Sequence, residues 1–371
     1  MRYKSILIIS CIFLIIEAVA FDGEWYFSDV LPRPQVCSAP PDSRMKLALS
    51  GLRGLGFPGF QIAYATRGGS LDCADGWSRK EFPAKAVELN TTFRLASVSK
   101  AITSLAILDL VQRKLIRLDD KLVDLLGMQG DFQDDRIRLI TIRELLLHSA
   151  GFDRRISGDP MMSPKPWCPR DLQMLKSVRL AFDPGSRYVY SNVGYCLLGA
   201  VVARLNNAPV DEVFQRLFFH PSGASLFMVN EDVKGNSEVS SYSAQGHALN
   251  YVDNLDYASL VAVGGWGGSA SDLNKVLLYL AANYTDRLRS YEGSNCMPQE
   301  LYSCHGFVLY FSQRKGRKAM YWRDGSLPGV TTFVGVFSDG SSIVFLGNSR
   351  EDGERPNSKV IELLYRVFGE E

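Results

Sequence analysis

Charge bias is nearly absent from the chain, whose 371 residues hold 41 Lys and Arg against 40 Asp and Glu. A nucleic-acid binder would carry a basic excess, so no nucleic-acid partner is expected. Histidine is scarce, and the four present, His148, His220, His247 and His305, show no ligand spacing and read as structural. The cysteines form no paired C-x-x-C, so no metal site is expected. H-E-x-x-H, G-x-S-x-G and G-x-x-x-x-G-K-[ST] are all missing, which removes zinc-protease, nucleophile-elbow and phosphate-loop chemistry. Gly54-x-Gly56-x-x-Gly59 has the dinucleotide spacing, but it contains Pro58 and precedes a strand pattern rather than following one, so no cofactor is expected.

Long apolar runs are lacking too, apart from one at the start. Arg2 and Lys4 precede SILIISCIFLII, and Ala18-Val19-Ala20 offers the small residues a signal peptidase reads. Residues 1–20 are therefore read as a cleaved export signal; an uncleaved amino-terminal anchor is the alternative, and either puts the remainder outside the cytosol. No stable membrane insertion is expected once the signal is cut. The carboxy-terminal KVIELLYRVFGEE ends in charge, without the tail of a lipid-anchor signal. Losing Arg2, Lys4 and Glu17 leaves 39 residues of each sign, a formally neutral mature chain. Cys11 leaves with the signal, and the six cysteines that remain favour disulfides in an oxidising compartment, with the neighbours Cys296 and Cys304 the simplest pair. Asn90-Thr91-Thr92 and Asn283-Tyr284-Thr285 are glycosylation sequons.

What is present is ordinary globular composition with a mixed pattern. Residues 21–43, with Pro32, Pro34, Pro40 and Pro41, read as an extended leader that either packs on or flaps beside a domain over 44–371. GFQIAYATRGGSL predicts a strand and a hairpin turn at Gly68-Gly69. From Ser97 the period becomes helical, with Ile102, Leu105, Ala106, Leu108 and Leu110 on one apolar side. Thr141 to Glu144 and Ser269 to Asp272 have capping-box spacing. The end of the chain alternates strands and turns before a last helix near Lys359 to Phe368. Strands at both ends with helices over roughly 101–260 predict a mixed α/β (α+β) domain: one sheet built from distant segments, a helical insert and a cleft between them.

Three S-x-x-K matches occur, at Ser43, Ser97 and Ser312, and only Ser97-Val98-Ser99-Lys100 opens a long helix after a strand-like run. Positions i and i+3 share a helix face, which sets Lys100 beside the Ser97 hydroxyl at a helix start whose free N–H groups favour developing negative charge. Tyr190-Ser191-Asn192 is the one Y-x-N in the chain, and RDGSLPG, Arg323 to Gly329, falls between two strand candidates. With FRLASVSK, PGFQIAYATRGG, LIRLDDKLVDLLG, ITIRELLLHSAGF, FDPGSRYVYSNVGYCLLG and GGWGGSASDL in this order, the chain resembles the serine β-lactamase and penicillin-binding-protein-like superfamily. The likeness runs from about Arg44 to the end and is nearest to class C β-lactamases, related carboxypeptidases and esterases, and animal serine β-lactamase-like proteins.

The resemblance implies a β-lactamase/transpeptidase-like fold, an antiparallel sheet flanked by helices, and a secreted serine hydrolase acting on a small-molecule or peptide substrate. It implies that Ser97 attacks a carbonyl to form an acyl-enzyme, that Lys100 and Tyr190 share the proton work with either as the acylation base, and that Asn192 fixes Lys100 and bonds the substrate amide. The backbone N–H groups of Ser97 and Ser326 would form the oxyanion hole, with Arg323 and Gly325 in the substrate site. Proximity and cationic neighbours are expected to lower the pKa of both Lys100 and Tyr190. Arg323 stands where relatives carry His or Lys; it can fork onto a carboxylate but cannot release a proton, and Asp324 beside it is placed to cancel its charge. A weakened hydrolase that uses the cleft for binding is the alternative reading. His148 is expected as a satisfied helix-end residue, and Trp266 as packing or as a lining of the cleft.

Overall fold

The computed structural model of the chain describes residues 28, 31–159, 163, 165–228, 238–250, 255–288, 296–353 and 355–371; the export signal at 1–20 lies outside the described residues. A nine-stranded antiparallel sheet forms the centre. Its strands are β1 (Gln35–Cys37), β2 (Gly59–Thr66), β3 (Gly69–Arg79), β4 (Lys85–Ala86), β8 (Cys304–His305), β9 (Tyr310–Ser312), β10 (Met320–Leu327), β11 (Val330–Phe337) and β12 (Ser342–Gly347). The order β1-β3-β2-β12-β11-β10-β9-β8, with β4 on β3, sets the last strands of the chain against the first, as the pattern of strands at both ends predicts. A small second sheet joins β5 (Phe93–Arg94), β6 (Phe227–Met228) and β7 (Trp266–Gly268).

Alternation along β12 shows why the sheet needs two covers. Ile343 and Phe345 enter one core, with Met45, Leu52, Phe60, Trp322 and Leu364, while Val344 and Leu346 enter a larger one with the helices on the other side. The first core is closed by α1 (Ser43–Gly54) packed on α6 (Ser358–Phe368). The second takes α2 (Ser99–Gln112), α3 (Ile142–Leu146), α4 (Asn192–Asn206) and α5 (Ala270–Asn283), the last lying across β12 and β2. Both expected caps are made. Thr141 and Glu144 form a reciprocal capping box, and the Ser269 side chain accepts from Asp272 N.

Three expectations change. The sheet recruits part of the proline-rich leader: β1 pairs with β3, and Cys37 bonds to Cys73. Helix α2 buries every residue from Ser99 to Leu108 rather than one side, so it is a core helix. Two of its hydroxyls find partners inside, Thr103 Oγ1 on Ala262 O at 2.7 Å and Ser104 Oγ with Tyr195 OH at 3.0 Å, whereas the buried Ser99 Oγ has none. RDGS is not between strands but within β10, because Gly325, Ser326 and Leu327 continue its register opposite Thr332, Thr331 and Val330, leaving Pro328-Gly329 as the turn. The remaining cysteines pair as Cys168–Cys196 and Cys296–Cys304.

Candidate active site

Ser97 lies in a single 3-10 turn, Ala96–Val98, that runs straight into α2. Its neighbour Ala96 is left-handed at φ +46°, a conformation that costs an alanine about 1 kcal/mol or more. Surroundings impose it: Leu95 N donates to Trp266 O at 2.8 Å, and a Cβ on Gly264 would already stand 3.3 Å from the Ala96 carbonyl carbon. The turn packs against β10 just where that strand loses its outer partner, since β9 reaches no further than Trp322. Gly325 makes the approach possible, because a Cβ there would lie 2.7 Å from Leu95 O and 2.9 Å from Ser97 N.

Lys100, one turn after Ser97 at the second position of α2 and fully buried, places Nζ 3.2 Å from Ser97 Oγ and 2.9 Å from Val263 O. Tyr190 donates its hydroxyl to Ser97 Oγ at 2.6 Å. Burial holds Lys100 well below the usual lysine range, with Arg323 and Arg154 adding to the effect. Burial also pushes Tyr190 above the usual phenol range, which corrects the expectation that both would fall. The physical reason is common to the two: a desolvated site penalises whichever form is charged, so both are held neutral.

Asn192 begins α4 two residues after Tyr190, and its Nδ2 donates to both oxygens of the buried Asp159, at 2.9 and 3.0 Å. Asp159 also meets Arg154 at 2.9 Å. His148 ends α3 at φ +55° and stacks between the rings of Tyr190 and Tyr195. It accepts from Ser191 N through Nδ1, while buried Nε2 has no hydrogen-bond partner, so it is only half satisfied. Trp266 packs on Phe219 inside the helical core and donates to Val261 O, as packing.

The cleft over Ser97 encloses about 570 Å³ and is lined by Tyr190, Arg323, Asp324 and Ser326 together with residues whose pattern gave no notice of them. Those are Arg154, Tyr188, Tyr302, His305, Tyr310, Arg350 and Arg355. Most of them are remote in sequence from Ser97 and Tyr190, and Tyr188, two residues before Tyr190, belongs to no spacing that marks it. Arg323 is 4% exposed, donates from Nη1 to Val308 O at 2.8 Å and lies over the rings of Tyr195 and Tyr310. Asp324 does not pair with it: the strand turns Asp324 towards Tyr302 OH at 2.9 Å and Asn357 Nδ2 at 2.8 Å. Burial raises the Asp324 carboxyl above its ordinary range and, with Arg323, lowers His305 to about 4. Among the described residues no group of three or more His, Cys, Asp or Glu is disposed to hold a metal.

The family model described as Beta-lactamase matches residues 48–364. The chain belongs to the Beta-lactamase family. It is thereby a member of a serine-hydrolase family. A Dichelobacter nodosus sequence described as fimbrial assembly protein FimD of serogroup D is 33% identical over 290 residues, covering 77% of this chain and 73% of its own. An Escherichia coli K12 sequence named as a D-alanyl-D-alanine carboxypeptidase is 29% identical over 186 residues, 47% of this chain and 42% of its own. Among solved structures, the D-amino acid amidase of Ochrobactrum anthropi superposes with a TM-score of 0.71 at 19% identity, covering 87% of this chain and 96% of the amidase. The D-alanine carboxypeptidase AmpC of Burkholderia cenocepacia gives 0.70 at 17% identity, with 88% and 98% covered. These two likenesses establish the fold, and the family member described here shares its mixed architecture of antiparallel sheet and helices.

Proposed function

We propose that the chain is a secreted serine hydrolase that cleaves an ester, amide or peptide bond through an acyl-enzyme on Ser97. The observation that carries this reading is one hydroxyl oxygen, Ser97 Oγ, lying 2.6 Å from a neutral phenol and 3.2 Å from a desolvated amine. Lys100, held uncharged by burial, takes the Ser97 proton as the oxygen bonds to the substrate carbonyl carbon. The backbone N–H groups of Ser97 and Ser326 receive the oxyanion. Tyr190 then gives its proton to the departing nitrogen or oxygen as that bond breaks, and Lys100 returns the proton to Tyr190. Water repeats the sequence in reverse roles and frees Ser97. Lys100 and Tyr190, both within hydrogen-bond reach of Ser97 Oγ, favour hydrolysis over a binding role for the cleft.

The lining also speaks to the substrate. Arg154, Arg323, Arg350 and Arg355 face the cleft, and the carboxylate that lines it, Asp324, is engaged by Tyr302 and Asn357. A substrate bearing a carboxylate suits this surface. With Arg323 buried on Val308 O, the half-buried Arg350 and the exposed Arg355 are better placed to meet it than the deep guanidinium. Asn90, in an exposed turn, and Asn283, exposed at the end of α5, are accessible for glycosylation. Three disulfides accord with an extracellular protein, and among the described residues no helix is long and apolar enough to cross a membrane.

A fluorophosphonate probe tests the assignment. Wild type should be labelled and Ser97→Ala should not; labelling that survives the substitution removes Ser97 from the chemistry.

A further inference from the structure

We infer that Asp159 is a positioning residue that decides which end of the Asn192 amide faces the reacting groups. The inference rests on the hydrolase reading above and deepens it. An asparagine amide has a donor arm and an acceptor arm of nearly equal size, and nothing in its own chemistry selects which one faces a site. Asp159 makes the selection. Its carboxylate offers acceptors, both oxygens take the Nδ2 end at 2.9 and 3.0 Å, and its side chain is 1% exposed, so water does not compete. The Oδ1 arm of Asn192 is thereby turned away from Asp159, free to accept from a substrate N–H or from the ammonium that Lys100 becomes when it takes the Ser97 proton. A reversed amide would set its carbonyl against a carboxylate and aim a donor at a developing cation.

The same carboxylate holds a second group. Arg154 Nε is 2.9 Å from Asp159, and its guanidinium lies over the Tyr190 ring at 5.3 Å. The groups that bear on Lys100 are the Ser97 hydroxyl, the Tyr190 and Tyr195 rings, Arg323 from β10, Arg154 and Asp159 from the loop after α3, His148 behind the two tyrosines, and the Val263 carbonyl. Asp159 is the one carboxylate in this set, and it opposes the depression of the Lys100 pKa that Arg323 and Arg154 assist. Orientation and charge therefore make separate predictions, because asparagine at 159 keeps an acceptor oxygen and loses the charge.

The test is the pH dependence of kcat and KM for a neutral ester with wild type, Asp159→Ala and Asp159→Asn, each active-site titrated with a fluorophosphonate. Asp159→Ala should lower kcat about 10- to 100-fold with KM changed far less. Its acid limb should move to lower pH, since removing a negative charge beside Lys100 makes the ammonium easier to deprotonate. Asp159→Asn should recover most of kcat while keeping the displaced limb. Wild-type kcat and profile in Asp159→Ala overturn the inference, as does an Asp159→Asn variant equally impaired with its limb unmoved, the behaviour of a merely structural residue. Should Asp159→Ala fail to fold, Asp159→Asn decides alone: a displaced limb supports the inference and an unmoved one overturns it. A wild type that takes up no probe and hydrolyses nothing overturns the hydrolase reading and this one with it, whereas a labelled, active wild type with indistinguishable variants overturns this one only.

Discussion

Ser97 sits in a turn that two neighbours make possible, a left-handed Ala96 before it and a side-chain-free Gly325 across from it. Alanine at 325 must displace backbone on both sides, Leu95 O and Ser97 N, and that is where the oxyanion would be held. Gly325→Ala should therefore cost at least about tenfold in kcat/KM, roughly 1.4 kcal/mol or more of transition-state stabilisation, measured with any ester the wild type hydrolyses. Lys100 is tested by the residue that cannot shed its charge. Lys100→Arg should reduce acylation about 10²- to 10⁴-fold even at high pH, because a guanidinium offers no lone pair to the Ser97 proton; burst kinetics would show it. Activity in the wild type should persist well below the ordinary lysine pKa and fail only as acid recharges Lys100, whose proton affinity burial has lowered. Of these residues Ser97, Lys100, Tyr190 and Asn192 were legible because S-x-x-K and Y-x-N are local spacings. Arg154 and Asp159 carry no spacing to read: they meet Asn192 and Tyr190 only after a loop folds back over α4.

Elements hold the site at a distance, and one ion-pair knot shows how. Asp134 accepts from Arg136 and from Leu180 N, tying the 3-10 turn Asp135–Leu139 to the segment before Pro184, and its carboxyl is depressed to about 2 by the Arg136 side chain foremost. A depressed carboxyl contributes stability that is complete above its unfolded pKa and disappears as pH falls through the folded value. Asp134→Asn should accordingly lower Tm at pH 7, and the gap to wild type should close between about pH 4 and pH 2 in a thermal-melt series. Strand periodicity and the caps at Thr141 and Ser269 were readable because each is set by neighbours within four residues. The register of β10 was not. Whether RDGS is turn or strand depends on β11 lying opposite it, and a glycine in the middle of the run reads locally as a break. Helix α2 misled in the same way: its apolar side was visible, but burial of the polar side is decided by Ala262, Val263 and Tyr195, which are remote in sequence.

Across the whole molecule, the sheet closes by bringing β2, with β3 and β1 beyond it, against β12, and a disulfide locks its outer edge. Breaking Cys37–Cys73, which spans 36 residues, by a double alanine substitution should cost roughly 2–4 kcal/mol of stability and release β1, readable as faster hydrogen exchange at Gln35 to Cys37. A chain of formal net charge only +1 with arginines gathered at one cleft should prefer a carboxylate-bearing ester over its neutral analogue, and the preference should shrink with added salt and in Arg350→Gln/Arg355→Gln. Equal rates on the two esters at low salt would remove the anionic substrate from the proposal. By itself the sequence determined the class of fold, the order of strands and helices, the candidate trio of Ser97, Lys100 and Tyr190, and the sign of the residue at Arg323. All of these are spacings or residue types that act over a few positions. Tertiary structure alone decided the protonation states, the environment of Arg323, the orientation of Asn192 and the partners of Asp324. Those depend on burial and on which distant groups share a desolvated space, and water excluded by one segment changes the charge that another can carry.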